Sequence, residues 1–208
     1  MSAKVFILGL LKLRSQIGTF FACLRCGLRY NSTWHIDGKL HIIRNKWLNR
    51  FKRRTGGTLV IGNGFACHNS FECNSIGLIQ PTLFNIGQPG CRLIIGENVG
   101  VSGSTVMVDK EITIGDNTII GSGCLIMDTD SHILKFEDRL NKVGEVASSP
   151  IHIEKNVFIG ARCIICKGVT IGEGSVIGSG SVVTKDVPPF TVAAGNPARI
   201  IKSLKDEE

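Results

Sequence analysis

Aromatic side chains are scarce in this chain. One Tyr, two Trp and ten Phe make up 6% of its 208 residues, so a broad core filled by rings is excluded. Long apolar runs are missing too, and none approaches the ~20 residues that a membrane-spanning helix needs. The apolar stretch Val5–Leu11 is short for a secretory leader, and no small-x-small cleavage site follows it. Acids are nearly absent from the first quarter. Residues 1–57 hold twelve Lys/Arg against one acid, Asp37, a net charge of +11. Residues 58–208 hold twelve Lys/Arg against sixteen acids, a net of −4.

What is abundant is glycine, with 25 residues, and a repeat. Ile153, Ile159, Ile165, Ile171, Ile177 and Val183 recur every six residues, and Gly160, Gly172 and Gly178 follow three of them. Four places after each comes a small or β-branched residue: Val157, Cys163, Val169, Ser175, Ser181 and Val187. A helix buries one stripe at a spacing of three to four, and an open β-sandwich alternates with period two. A fixed period of six instead marks a solenoid, in its hexapeptide form a parallel β-helix. Ile114, Ile120 and Ile126 extend the repeat upstream. Ile95, Val101 and Met107 form an earlier block slipped by one residue, and Ile61, Cys67, Cys73 and Ile79 a weaker one. All of these aliphatics and thiols are expected to point inward. Two regions follow: a basic one over 1–57 and a β-helical domain over 58–208, ending in a short helix at about 197–205.

The basic region has its own pattern. Phe6, Leu10, Leu13, Ile17, Phe20 and Leu24 have helical spacing, with Lys12, Arg14 and Arg25 interspersed. Such a helix either lies on an anionic membrane surface, or caps the open end of the coil or packs on a neighbouring subunit. Lys46–Arg54 is basic but carries no nucleic-acid-binding motif, and no nucleic-acid partner is expected. Eight cysteines without a leader point to a reducing, cytoplasmic setting, at the inner face of the membrane if the helix touches lipid. Cys23-x-x-Cys26 and Cys163-x-x-Cys166 resemble zinc spacings, but Cys67, Cys73, Cys124 and Cys163 fall on inward positions and read as small hydrophobes, so no metal is expected.

The repeat stops after Ile126 and resumes at Ile153. Residues 128–150 are polar and without hexad order, and a long excursion from a regular coil is usually functional. It opens on Asp128, Asp130 and His132, at alternate positions that share one side if the chain is still extended. Histidine suits general-base work because its reference pKa of ~6.5 lies near working pH. Asp128 or Asp130 would orient it or bind substrate. Too few further ligands are nearby for a metal. His68, His132 and His152 are the only possible set for a three-histidine zinc site between coils, and their spacing does not suit one.

Residues 157–202, with their hexads, the TKDVPP turn at 184–189 and AGNPAR at 194–199, resemble the C-terminal half of the hexapeptide-repeat acetyltransferases. The branch they look like is that of the maltose and galactoside O-acetyltransferases and their relatives in polysaccharide modification, over about residues 90–204. The resemblance implies a left-handed β-helix assembled as a homotrimer, with active sites between subunits. It implies acetyl-CoA as co-substrate and a carbohydrate acceptor. His132 matches the family's base, although Ile133 stands where those enzymes have Pro. Carried onto this chain, coenzyme contacts fall on Gly160, Ala161, Gly178 and Ser179 for the pantetheine arm, on Thr184 and Lys185 toward the adenosine, and on Arg199 and Lys202 at the phosphates. Ser102 lies beside the position of the family's acceptor-binding Asn. Transfer would be direct, with an oxyanion held by a backbone N–H near 160–161 or 102–104. Serine or xenobiotic acetylation, and a purely structural coil, are the other readings.

Overall fold

The computed structural model describes residues 13, 16–24, 32, 34–38, 41–43, 57–69, 74–86 and 88–205. Its body is a left-handed parallel β-helix of three sheets in which every third strand pairs. Sheet A stacks His35–Gly38, Ala66–Asn69, Gly100–Ser102, Ile119–Ile120, Phe158–Ile159, Val176–Ile177, Thr191–Gly195 and Ala198–Ser203. Sheet B stacks His41–Ile43, Leu83–Asn85, Thr105–Met107, Leu125–Met127, Ile164–Ile165 and Val182–Val183. Sheet C stacks Thr58–Ile61, Arg92–Ile95, Glu111–Ile114, Ile151–Ile153 and Thr170–Ile171. The strands at 35–38 and 41–43 pair onto Ala66–Asn69 and Leu83–Asn85, so the coil extends upstream of residue 58.

The hexad explains the interior. Val101, Ile120, Ile159, Ile177 and Ala193 stack in register inside sheet A, all 0–1% exposed. Val106, Ile126, Ile165 and Val183 do the same in sheet B. The small partners Thr118, Cys124, Cys163, Ser175 and Ser181 share the narrow space and are buried. Their hydroxyls are satisfied within it: Ser175 Oγ donates to the Pro188 carbonyl at 2.6 Å and Thr118 Oγ1 to that of Glu154 at 3.1 Å. Only the early coils admit rings. Trp34, Phe65 and Phe84 form a chain with 6.2 Å between successive centroids.

The corner between sheets C and A needs positive φ, and Asn meets it at Asn98, Asn117 and Asn156 (φ 54°, 57° and 61°). Their amides form a ladder, Asn98 donating to Asn117 at 3.2 Å and Asn117 to Asn156 at 3.0 Å. The glycine after the inward aliphatic is needed for closeness. A Cβ at Gly121 would lie 2.7 Å from the Ala161 nitrogen of the next coil.

Three expectations are corrected. Met107 is only half-buried and points outward, because the turn at Gly103 (φ 42°) is one residue short and puts Val106 inside instead. Ile79 is 66% exposed, since the chain leaves the coil after Asn69 and the next inward places fall to Thr82 and Phe84. The expected helix at 197–205 is a strand. Ala198–Ser203 turns back antiparallel on Thr191–Gly195 through a tight hairpin at Asn196–Pro197, which pairs the last edge of sheet A. Cys73, Phe6, Leu10 and Lys46–Arg54 lie outside the described residues.

Residues 16–24 form a helix. Ala22 and Cys23 join the continuous core, and Thr19 is 0% exposed.

Ile120→Ala should lower stability by about 3 kcal/mol, from lost burial plus the cavity it leaves. Asn117→Gly should cost less than Asn117→Ala, because it keeps the positive φ that Ala resists by about 1 kcal/mol. Urea unfolding of the three variants would check both orderings.

Candidate functional site

The excursion 128–150 is pinched at its base. Thr129 and Ser148 form an antiparallel bridge, Asp130 N donates to the Ala147 carbonyl at 3.0 Å, and Ser149 N to that of Asp128 at 2.9 Å. Beyond the pinch lies a short helix, Phe136–Asn141, with no buried residue. Arg139 Nη1 donates to the carbonyls of Ile133 and Leu134, each at 2.8 Å. The segment that follows His132 is held by these two charge-assisted bonds.

Asp128, Asp130 and His132 do not share a side. Ser131 takes a left-handed conformation (φ 61°) and breaks the alternation. Asp128 is fully buried, and its two oxygens accept the backbone N–H groups of Asp109, Lys110 and Glu111 at 2.7–2.8 Å. Burial pushes its carboxyl up from the ordinary value, against the pull of the three donors. It braces the turn 109–111 and has no oxygen left for substrate, which corrects its expected role. Asp130 pairs with Lys167 Nζ at 2.7 Å, tying the loop to the next coil, while its Oδ2 is buried without a hydrogen bond. His132 is exposed and makes no hydrogen bond among the described residues, so neither carboxylate orients it within this chain.

Two hollows flank sheet B. One, of about 450 Å³, lies at the corner between sheets B and C and is lined by Met107, Asp109, Thr129, Ser131 and Ser148 among others. Ser131 lines it, and the exposed His132 follows Ser131 in the chain. Ser148 Oγ donates to Asp109 Oδ2 in a short bond. The other, of about 670 Å³, runs along the corner between sheets A and B. Its coil wall is Ser122, Ala161, Arg162, Ser179 and Gly180, and its second wall is the apolar segment Ile76–Ile79. That segment is held by Ser122 Oγ donating to the Gly77 carbonyl at 2.9 Å and by Gln80 Nε2 donating to Thr105 Oγ1 at 2.6 Å.

The expected coenzyme residues separate here. The N–H groups of Gly160 and Gly178 are committed to Ile177 and Ala193 carbonyls at 2.8 and 2.9 Å, so they cannot serve a ligand. Those of Ala161 and Ser179 form no hydrogen bond among the described residues and border the A/B hollow. Thr184 and Lys185 are exposed on the turn that follows Val182–Val183. Arg199 and Lys202 are exposed on the terminal strand, opposite Ala194 and Val192. Ser102 is half-buried at the end of its sheet A strand. Ser104 is spent: its hydroxyl donates to the Ser102 and Gly121 carbonyls and accepts from Cys124 N. The hydrogen bond to Cys163 and burial hold the Cys124 thiol far above its ordinary value, whereas the same hydrogen bond draws Cys163 down to about 7; both thiols are buried in the coil interior.

Sequence reasoning missed Asp109, Arg162 and Ile76–Ile79. A signal was present for Asp109, since 108–111 falls at the slip between two repeat blocks; Ile79 keeps the six-residue spacing and Arg162 lies within the regular repeat, so neither was marked.

Asp128→Ala should cost about 3 kcal/mol by stranding three backbone donors, measured by urea unfolding. Ser148→Ala, whose bond lies at the rim, should cost under about 1 kcal/mol.

Residues 150–185 match a family model described as the hexapeptide repeat of succinyl-transferase. Galactoside O-acetyltransferase from Escherichia coli (strain K12) is 44% identical over 120 residues, which is 57% of this chain and 58% of that protein. A galactoside acetyltransferase solved in complex with coenzyme A is 37% identical with a TM-score of 0.56, over 72% of this chain and 66% of that one. An N-acyltransferase from Bacillus cereus, solved with dTDP and coenzyme A, shares the fold at 19% identity with a TM-score of 0.58, over 83% and 82% of the two chains. The chain spans about half the length of the curated relatives it matches. With these similarities the chain belongs to the hexapeptide-repeat acetyltransferases.

Proposed function

We propose that this protein transfers an acetyl group from acetyl-CoA to a hydroxyl of a carbohydrate, with His132 as general base. The observation that carries the reading is the pair of hollows, one with unpaired N–H groups at Ala161 and Ser179, the other lined by Ser131, the residue that precedes His132. The pantetheine arm is an extended diamide with an apolar stretch. It suits a groove that offers free N–H groups on one wall and Ile76 and Ile79 on the other. Lys185, Arg199 and Lys202 supply cations for the phosphates. The B/C hollow suits a sugar, since Asp109 and Ser148 offer hydroxyl partners and the buried, unpaired Oδ2 of Asp130 lies in the same loop base.

In the reaction, His132 removes the acceptor hydroxyl proton as the oxygen attacks the thioester carbonyl. The tetrahedral oxyanion is held by a backbone N–H, for which Ala161 is the free donor. Its collapse breaks the C–S bond, and the imidazolium returns the proton to the departing thiolate.

The two hollows sit on different corners of one chain, with sheet B between them. A complete site therefore uses the A/B corner of one copy and the B/C corner of the next, as a closed trimer supplies. Ile119 and Phe158, paired on the outside of sheet A and 55% and 47% exposed, are apolar surface suited to such packing. The acceptor reading extends to surface-glycan precursors, and the setting to the cytoplasm.

Coenzyme A release against a panel of sugars tests the chemistry. The native chain should turn over with one acceptor class. His132→Ala should lose about a thousandfold or more in kcat while still binding coenzyme A, a loss within the range of general-base catalysis; equal turnover in both would remove His132 from the mechanism. Arg139→Met should lower kcat about tenfold without changing coenzyme A affinity, by releasing the turn after His132. Co-assembling His132→Ala with Ser179→Trp, each inactive alone, should restore about one quarter of native activity if sites form between copies. No recovery would mean that each chain holds a complete site.

A further inference from the structure

Among the described residues, the helix 16–24 turns its large apolar side chains away from the coil. Its buried positions are Thr19, Ala22 and Cys23, at 0–3% exposure. Leu13, Ile17, Phe20 and Leu24 are 57%, 49%, 46% and 66% exposed, and Phe21 beside them 61%. At 100° per residue Ile17, Phe20 and Leu24 fall within a sector of about 60°, its centre about 140° round the helix from that of the buried three. The small residues face the coil and the large apolar ones face out, the reverse of an ordinary surface helix.

An aliphatic and aromatic stripe of this kind needs a cover. A second copy and a lipid surface are the two occupants of suitable size, and charge decides between them. Residues 1–57 carry a net +11, with Lys12, Arg14 and Arg25 interspersed in the helical pattern. Placing two such segments stripe to stripe would bring like charges together, whereas an anionic bilayer attracts each of them. Among the described residues, no helix is long and apolar enough to cross a membrane. We propose that the helix lies in the headgroup layer of an anionic membrane, with Leu13, Ile17, Phe20 and Leu24 inserted and the coil held above. The geometry suits an acceptor attached to a lipid carrier, but the proposal stands whether or not the chain transfers acetyl groups.

Flotation of the full chain with phosphatidylcholine vesicles, with and without phosphatidylglycerol, tests it. The native chain should float with the phosphatidylglycerol vesicles and release them as salt rises. The triple variant Ile17→Asp/Phe20→Asp/Leu24→Asp should lose about tenfold or more of that affinity, while coenzyme A binding shows that it folds. Lys12→Glu/Arg14→Glu/Arg25→Glu, which leaves the stripe intact, should weaken binding to the same vesicles. Failure of the native chain to float, or equal flotation of native and triple variant, would overturn the proposal. So would lipid-free native assemblies larger than those of the triple variant, since the stripe would then be a contact between copies.

Discussion

Everything in this molecule depends on hydrogen bonding between successive coils. Strands of two or three residues, such as Ile119–Ile120 and Val182–Val183, could not persist alone. Ile119–Ile120 pairs with the coil before it and the coil after it, and Val182–Val183 with the coil before it. The spacing between coils leaves no room for a Cβ at Gly121, and the narrow interior leaves room for one aliphatic and one small side chain at each place. Composition follows from that constraint: Ile and Val inside, Ser, Thr and Cys beside them, Gly and Asn at the corners.

Both hollows sit where this regularity is broken. The turn 109–111, the segment 74–80 and the excursion 128–150 are departures from the hexad, and each lines a hollow. The breaks are braced by the coil itself. Asp128 is spent on three backbone N–H groups so that Asp109 can be presented outward. Ser122, on the coil wall of the other hollow, holds Gly77 and thereby that hollow's apolar wall. A rigid scaffold with a few pinned loops suits chemistry that depends on position.

Periodicity made the coil from Ile114 onward legible in sequence, because each hexad obeys the same steric rule. It misled where one residue was lost at Gly103, which turned Met107 outward, and where the chain left the coil after Asn69, which exposed Ile79. The terminal strand was misread as a helix because the determinant is an unpaired sheet edge, a tertiary feature that local spacing does not carry. At the site, the position of His132 was readable from the break in the repeat. The burial of Asp128 was not, since an Asp that caps a turn and an Asp that binds substrate look alike in sequence. The choice of Ala161 and Ser179 over Gly160 and Gly178 depends on which N–H groups the neighbouring coil has already taken.

The stacking also makes the coil a ruler. Successive strands in a sheet lie about 4.8 Å apart, so the offsets along the axis from the strand before His132 to Ala161, to Ser179 and on to the terminal hairpin come in whole coils. A donor molecule laid along the corner is thereby measured in fixed increments. Gain or loss of one complete turn by this lineage would preserve every interior contact, yet move the cations at one end past the histidine at the other by a full graduation. On the proposed function, the number of coils sets the span between donor and acceptor groups independently of stability.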